Sequence, residues 1–519
     1  MQDNESAYHR CRFVKNVLWS WASVAVPILT ALALAPYIIL KLGPESYGLW
    51  SLAFSIVGYY NLLDLAFRST VVKFTAQFAS LGNPDKINEL VNTMLACFSA
   101  GSALLVEVTA VLAKGADRIF KVPPALQGDF FWLILLLGLG MAVGVTLNVF
   151  TGCLEGLQRF DLASRVSMVT ILVRSGGIAV LIAMGHGLAA MGAWAVFTQL
   201  LSFALSFASF RRIFPYLRFS TSLVKLSMLK EAMGYGAHTL VAYLGGIVLD
   251  QSPSVLIGHY CRAAFVGYYT LPQRLLQYGV DMVGRAGMVV GARTAELASA
   301  GELQRVSGLA ANVNRYCLTL FAPFSIVLLV HGPELMKAWL GPAFAIHSAP
   351  LLPIMLVGST LATAAQFSSS TVLFGLGKHQ NYARALLVEA LAAVACMTVF
   401  LPRYGIVAAA VVTSSLMLLN RGLFTSWLVC KALGSSYRDY MGYIFTHPIL
   451  TAVPFLLLAL WLNHRYGPVE GWLSLLVSTA VIFIVFYGVA FFTCLHPEHR
   501  RAVRTWIKEQ VNHFAATPS

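Results

Sequence analysis

The chain has 519 residues, 58% hydrophobic and 11% charged, with a mean hydropathy of +0.72. Soluble domains carry about 25% charged residues, so a soluble enzyme or binding domain is excluded and most of the chain is expected to lie in lipid. A formal net charge of +14 would suit nucleic acid, but its placement along the chain assigns it to membrane topology, and no nucleic-acid partner is expected.

After a polar start (1–16), apolar runs near 17–40, 48–67, 90–113, 130–152, 166–185 and 190–210 read as six spans, since crossing the hydrocarbon core takes about 20 apolar residues. The first run is too long for a signal-peptide core and lacks a small-residue cleavage site, so it is expected to persist as a span. The segment 211–236 carries Arg211, Arg212, Arg218, Lys225 and Lys230. Its second half spaces Leu223, Leu226, Leu229 and Met233 between the lysines, which suits an amphipathic linker helix in the headgroup plane. Six further spans follow near 237–261, 267–291, 316–336, 350–374, 384–402 and 406–430. Two more, near 447–463 and 471–494, fall within 431–494. The basic tail, 495–519, places Val503, Trp506, Ile507 and Val511 on one face, as in a second surface helix. The expected fold class is an all-α polytopic membrane protein of about 14 transmembrane helices.

Of the 36 Lys and Arg, 24 fall in one set of alternate loops and 8 in the other, while Arg174, Arg274, Arg285 and Arg421 fall inside spans. That bias is the positive-inside rule, and it places both termini in the cytoplasm. The eight cysteines are scattered without paired spacing and read as small apolar fillers. The outer loops are short, the longest being Lys114–Asp129 and Gly332–Ala349, which leaves no room for an external catalytic domain. No Walker A loop is present. His496-Pro-Glu-His499 has the wrong spacing for a metal site. No metal, cofactor or enzymatic activity is expected.

The two halves repeat. Gly156–Arg165 aligns with Gly375–Arg384 at an offset of 219 residues, and the same offset sets Gly48 of Tyr-Gly-Leu-Trp against Gly267 of Val-Gly-Tyr-Tyr. At 217, Gly115 meets Gly332. An even number of spans per copy gives both copies one orientation. The repeat therefore predicts two pseudo-symmetric six-helix lobes, 17–210 and 237–430, around a central cavity, with two C-terminal helices outside it.

The polar residues within spans concentrate at Asp250–Arg285. Arg274, Gln277, Asp281 and Arg285 are offset by 3, 7 and 11 residues, which at about 100° per residue confines them to a stripe roughly 80° wide. A charge at bilayer depth costs at least ~2.5–3.5 kcal/mol, so this face looks into a wet pathway or pairs with a neighbouring helix. Asp250 and Asp281 fall near the midplane, where they bind a coupling ion or neutralise nearby arginines. Pro253 beside Asp250 frees backbone carbonyls and favours a break there. Arg68 follows Asp64 by four residues, so it takes part in substrate capture or forms an i,i+4 pair. Glu389 and Arg421 lie at similar depth on adjacent spans and are expected to pair; Glu107 and Arg174 form a second candidate pair.

Leu42–Phe74 combines a Gly-Pro turn, a Tyr-Gly-Leu-Trp entry, a span ending in Leu-Leu-Asp-Leu and a basic exit. Together with Gly156-Leu-Gln-Arg-Phe-Asp161 and Val266-Gly-Tyr-Tyr269 followed by Gln273-Arg274-Leu275, it resembles the polysaccharide-transport branch of the MOP superfamily, the Wzx-type oligosaccharide flippases. The resemblance covers roughly residues 15–430. It departs from the family where Ala66-Phe67 replaces a Gly often found after Leu-Asp-Leu. Fourteen helices, against about 12 in many relatives, resemble the lipid II flippase branch.

The resemblance implies two six-helix bundles around a cavity faced by helices 1, 2, 7 and 8, which rock to move polyprenyl-pyrophosphate-linked glycan across the bacterial inner membrane. A pyrophosphate needs cationic partners, and the guanidinium fork suits its oxygens. Arg274, Arg285 and Arg68 are therefore the candidate substrate contacts. Gln277 is a candidate for sugar hydrogen bonding or for a bond to a neighbouring helix. Asp250, Asp281 and Asp64 are candidates for coupling to a proton or Na⁺. Expected partners are the lipid-linked glycan, membrane lipids and polysaccharide polymerase or assembly proteins. The competing expectations are a MATE-like drug or cation antiporter, a lipid II flippase and a membrane-embedded glycan enzyme.

Overall fold

The computed structural model describes the backbone of residues 2–501 and 503–505; the side chains of 2–24, 65–67, 233–242, 285–289, 291–292, 363–364 and 367 lie outside the described residues. Among the described residues the regular structure is helical, with one isolated bridge between Lys121 and Arg262. The chain divides into two compact units, Met1–Thr270 with Val394–Ile406 and Leu271–Ala393 with Val407–Ser519.

The first unit holds α1 (Gln2–Gly58), α2 (Asn61–Ser80), α3 (Pro84–Ile119), α4 (Gln127–Leu147), α5 (Val149–Gly156), α6 (Phe160–Ala183), α7 (Leu188–Ile213), α8 (Leu226–Tyr260) and the first turns of α9 (Ala263–Ser299). Its boundaries follow local chemistry. Gly43 takes φ +83° and Pro44 opens the next turn, so the Gly-Pro turn separates the first two expected spans within α1. At the start of α3, the Asn83 side chain accepts from Lys86 N–H at 3.1 Å, with Pro84 in the first turn. Phe74, Leu90, Met94, Phe150 and Phe210 are buried together in one cluster, joining α2, α3, α5 and α7.

The second unit holds the rest of α9, then α10 (Leu303–Leu340), α11 (Pro342–His347), α12 (Leu351–Gly375), most of α13 (Gln380–Tyr404), α14 (Ile406–Met417), a π-helical turn at Leu418–Phe424, α15 (Thr425–Leu433), α16 (Tyr437–Tyr466) and α17 (Trp472–Thr493). Leu450 and Leu457 of α16 and Leu473, Leu476 and Ile484 of α17 are 61–77% exposed. So much exposed aliphatic surface is stable only against lipid.

Among the described residues, ten helices are long and apolar enough to cross a membrane. They account for eleven of the fourteen expected spans, because Ala25–Ser80 contains two. The other three expected spans correspond to α8, α9 and α12, helices of 35, 37 and 25 residues, so a count of 14 is not reached on length and apolarity alone. The protein is a multi-pass membrane protein.

Leu226, Leu229 and Met233 of the basic linker fall in the first turns of α8, so most of the leucine-spaced part is helical and runs on into the following span without a break. Before it, residues 214–225 are irregular, with a single 3₁₀ turn at Thr221–Leu223. Side chains of α3 account for this. Asn88 accepts from Arg218 N–H at 2.8 Å and donates to Tyr216 C=O at 3.1 Å. Asn92 accepts from Ser220 N–H at 3.0 Å and donates to Arg218 C=O at 2.7 Å. Two amides thus satisfy the linker backbone, and no helix is needed to do so. The tail is helical again from Pro497, but Trp506, Ile507 and Val511 lie outside the described residues.

The repeat-related glycines meet. A Cβ on Gly48 would sit 1.9 Å from the Ala263 carbonyl oxygen, and one on Gly267 would sit 3.0 Å from Tyr47 Cδ1. Beside them the Glu45 carboxylate accepts from Ala264 N–H at 3.1 Å, covering an orphan donor in the first turn of α9. Because backbone blocks it, Gly48→Val is expected to destabilise the first unit by about 1–3 kcal/mol or more. Gly101→Ala, in open space on α3, is expected to be neutral or stabilising by up to ~1 kcal/mol. Thermal unfolding in detergent checks both, and a Gly48→Val transition matching wild type contradicts the close approach.

Candidate functional site

Within the first unit, the second span is interrupted at Tyr59–Tyr60, between α1 and α2. Both tyrosine hydroxyls anchor the interruption: Tyr59 OH lies 2.7 Å from Ser252 Oγ on α8, and Tyr60 OH lies 2.7 Å from Thr109 Oγ1 on α3. A Cβ on Gly58 would lie 2.7 Å from the Gln251 side chain, so glycine admits that amide. Gln251 Nε2 in turn donates to Asp250 Oδ2 at 2.5 Å. The expected break at Pro253 is absent, since α8 passes through it as a continuous helix. The interruption lies instead between α1 and α2, where the two tyrosine hydroxyls find partners on α8 and α3. Asp250 is exposed on α8.

Further along α2, Asp64 accepts from Asn148 Nδ2 at 2.9 Å. Asn148 occupies the turn between α4 and α5. Arg68 does not form the expected i,i+4 pair. Its guanidinium grips Glu155 at the end of α5 with both prongs, Nε to Oε2 at 3.1 Å and Nη2 to Oε1 at 2.5 Å. The two side chains are 33% and 20% exposed, so the pair sits at the edge of the unit. Glu155 and Asn148 were not anticipated. The signal for Glu155 was its place directly before the Gly156-Leu-Gln-Arg motif, where it reads as part of a loop; Asn148 is a single amide in an apolar run.

Within the second unit, Arg274, Gln277 and Asp281 are all exposed on α9, so the structure keeps three members of the stripe on one face. Arg285 lies outside the described residues. Gln277 Nε2 donates to Asp281 Oδ1 at 2.8 Å, a bond along the same helix rather than to a neighbour. Among the described residues Arg274 has no ion-pair partner. The expected pair of Glu389 and Arg421 is present, with Arg421 Nε 3.2 Å from Oε1 and Asn420 Nδ2 donating to Oε2 at 2.7 Å. Consecutive residues reach one carboxylate because the π-helical turn widens the helix there. The pairing expected between Glu107 and Arg174 is not formed: Glu107 is exposed on α3, and Arg174 has no ion-pair partner among the described residues.

These features describe a membrane helix bundle in which several embedded polar groups are tied to one another, while α9 carries an exposed polar face on which Arg274 has no ion-pair partner among the described residues. The model for the family described as polysaccharide biosynthesis protein matches residues 13–290, more than half of the sequence. The chain belongs to the polysaccharide biosynthesis protein family. It is 22% identical over 425 residues to the putative O-antigen transporter of Shigella flexneri, covering 80% of this chain and 98% of that one. The uncharacterized membrane protein EpsK of Bacillus subtilis is 23% identical, covering 95% and 97%. The probable low-salt glycan biosynthesis flippase Agl15 of Haloferax volcanii is 21% identical, covering 69% and 74%. In fold it is similar to the lipid II flippase MurJ in an inward closed conformation, at a TM-score of 0.71 and 10% identity, covering 92% of this chain and 99% of that one. An inward-facing multidrug resistance MATE transporter of the MOP superfamily gives a TM-score of 0.62 at 13% identity, covering 80% and 98%. The fold is thus that of the MOP transporters.

The bidentate pair at the end of α2 makes a stability prediction. In a double-mutant cycle of Arg68→Ala and Glu155→Ala, the unfolding free energies are expected to couple by about 1 kcal/mol or more. Additive losses in the purified protein contradict a working pair.

Proposed function

We propose that the protein is a flippase that moves a polyprenyl-pyrophosphate-linked oligosaccharide, a repeat unit of O-antigen or exopolysaccharide, across the bacterial inner membrane by alternating access. The family, the O-antigen transporter and glycan flippase among the relatives, and the MOP fold support the reading. The single observation that carries the chemistry is Arg274, a cation exposed at a span with no ion-pair partner among the described residues, on the face that also holds Gln277 and Asp281. A pyrophosphate passing that face meets a guanidinium that no carboxylate among the described residues holds. Arg285, 11 residues and so about three helical turns further toward the basic loops, is assigned the second contact.

The other candidates follow from what their side chains do. Arg68 is held by Glu155, so it takes part in capture only by exchanging that carboxylate for substrate phosphate. Gln277 exchanges Asp281 for a sugar hydroxyl. Asp250, Asp281 and Asp64 are the coupling carboxylates, for a proton or Na⁺, with the ion gradient or membrane potential as the driving force. The positive-inside bias puts both termini in the cytoplasm. Polysaccharide polymerase or assembly proteins are the natural recipients of the flipped unit. The chain acts as a transporter and carries out no bond-breaking step on the glycan.

A MATE-type cation antiporter shares the fold, but its cargo needs a carboxylate-centred pocket and no arginine. In cells that depend on this protein for glycan export, Arg274→Ala is expected to lower export about 10-fold or more at unchanged protein level, given ~1.5–3 kcal/mol for a hydrogen bond to a charged group. Arg274→Lys keeps the charge without the fork and is expected to fall between. Arg274→Ala with Arg285→Ala is expected to abolish export. Normal export from the double variant removes both arginines from the pathway.

A further inference from the structure

The second unit contains a cleft of about 1010 Å³, bounded by the end of α12, the first half of α13 and the α14–α15 region. It shares no residue with the α9 stripe. Its walls are apolar, with Val388, Leu416 and Leu419 among them. Phe424 and Trp427, stacked at 5.6 Å between ring centroids, form one side. Its buried charge is already cancelled, because Glu389 is held by Arg421 and Asn420.

Its rim is cationic. Lys378, Arg384 and Lys431 line the mouth and are exposed. Lys378 Nζ donates to the Ala432 carbonyl at 3.3 Å, and Lys431 Nζ sits 5.0 Å above the Trp427 ring. None of the three has an acidic partner among the described residues. All three belong to the basic set of loops, so the mouth opens where the positive-inside rule places the cytoplasmic headgroups.

An occupant must therefore carry negative charge at one end and long apolar chains at the other. The cleft lies at the top of the size range of ligand pockets and is far larger than a phosphate ion needs. Basic pockets between membrane helices on the cytoplasmic side hold anionic lipid headgroups. We propose that this cleft is a binding site for an anionic glycerophospholipid of the cytoplasmic leaflet. The phosphate lies on Lys378, Arg384 and Lys431, and an acyl chain runs along Val388, Leu416 and Leu419. Trp427 bridges the two regions, with its ring against lipid and its face under Lys431. The proposal rests on the membrane location of the chain and not on the identity of the transported glycan.

Native mass spectrometry of the full-length protein, purified from nanodiscs of mixed phosphatidylglycerol and phosphatidylcholine, tests it. Wild type is expected to retain phosphatidylglycerol preferentially. The variant carrying Lys378→Ala, Arg384→Ala and Lys431→Ala is expected to retain at least tenfold less. The charge-preserving set Lys378→Arg, Arg384→Lys and Lys431→Arg restores retention and shows that folding is not the cause. Ala392→Trp, which fills the cleft beneath an intact rim, is expected to reduce retention as well. Equal retention by wild type and the triple-alanine variant overturns the site. So does displacement of phosphatidylglycerol by millimolar inorganic phosphate with no effect of Ala392→Trp, which would make the rim a phosphate site only.

Discussion

A polar group in hydrocarbon has no water to turn to, and this constraint governs how the bundle is built. At three interruptions of the helices, polar side chains meet polar partners on neighbouring elements. The gap at Tyr59–Tyr60 is bracketed by hydroxyl pairs with Ser252 and Thr109. The turn at Asn148 puts an amide on Asp64. At the widened turn in Leu418–Phe424, Asn420 and Arg421 share the carboxylate of Glu389, which is only 2% exposed. Removing one partner of such a set leaves a stranded charge, which costs about 3–5 kcal/mol for a fully buried pair. The partners therefore act as structural units.

Against this background, an embedded cation that is not tied down stands out. Arg68 and Arg421 have carboxylates; Arg174 and Arg274 have none among the described residues, and of these two only Arg274 is exposed, on α9. In a membrane protein such a residue is tolerated where water or an anionic ligand reaches it. In the proposed function, the pyrophosphate of the lipid-linked glycan supplies that anion. The same reasoning separates the cleft beside α13, where three exposed cations have no acidic partner among the described residues, from the stripe on α9, with which it shares no residue.

Much of this was legible in the sequence because it depends on composition and period. Helical character, the Gly43-Pro44 separation of the first two spans, the pairing of Glu389 with Arg421 and the common face of Arg274, Gln277 and Asp281 all follow from spacing. Gly48 and Gly267, matched by an internal offset, meet at one helix crossing. What the sequence concealed depends on tertiary partners. Arg68 has a neighbour four residues away, yet Glu155, 87 residues distant, offers a two-pronged fit that an i,i+4 aspartate does not match. Pro253 suggested a break, but the interruption went to Tyr59–Tyr60, where anchoring hydroxyls were available. The linker's leucine spacing marks helix from Leu226 onward, but nothing local announces the irregular stretch before it, whose backbone is bound by Asn88 and Asn92, more than 120 residues earlier.

The central claim concerns the leaflet in which the lipid-linked glycan resides. The direct measurement is to deplete the protein, prepare spheroplasts, and expose them to an added glycan-cleaving enzyme that cannot cross the membrane. The account predicts that lipid-linked oligosaccharide accumulates in a form protected from the enzyme until the membrane is opened. Lipid-linked glycan that is cleaved from outside as readily as in undepleted cells contradicts it, because the substrate would then reach the outer leaflet without this protein.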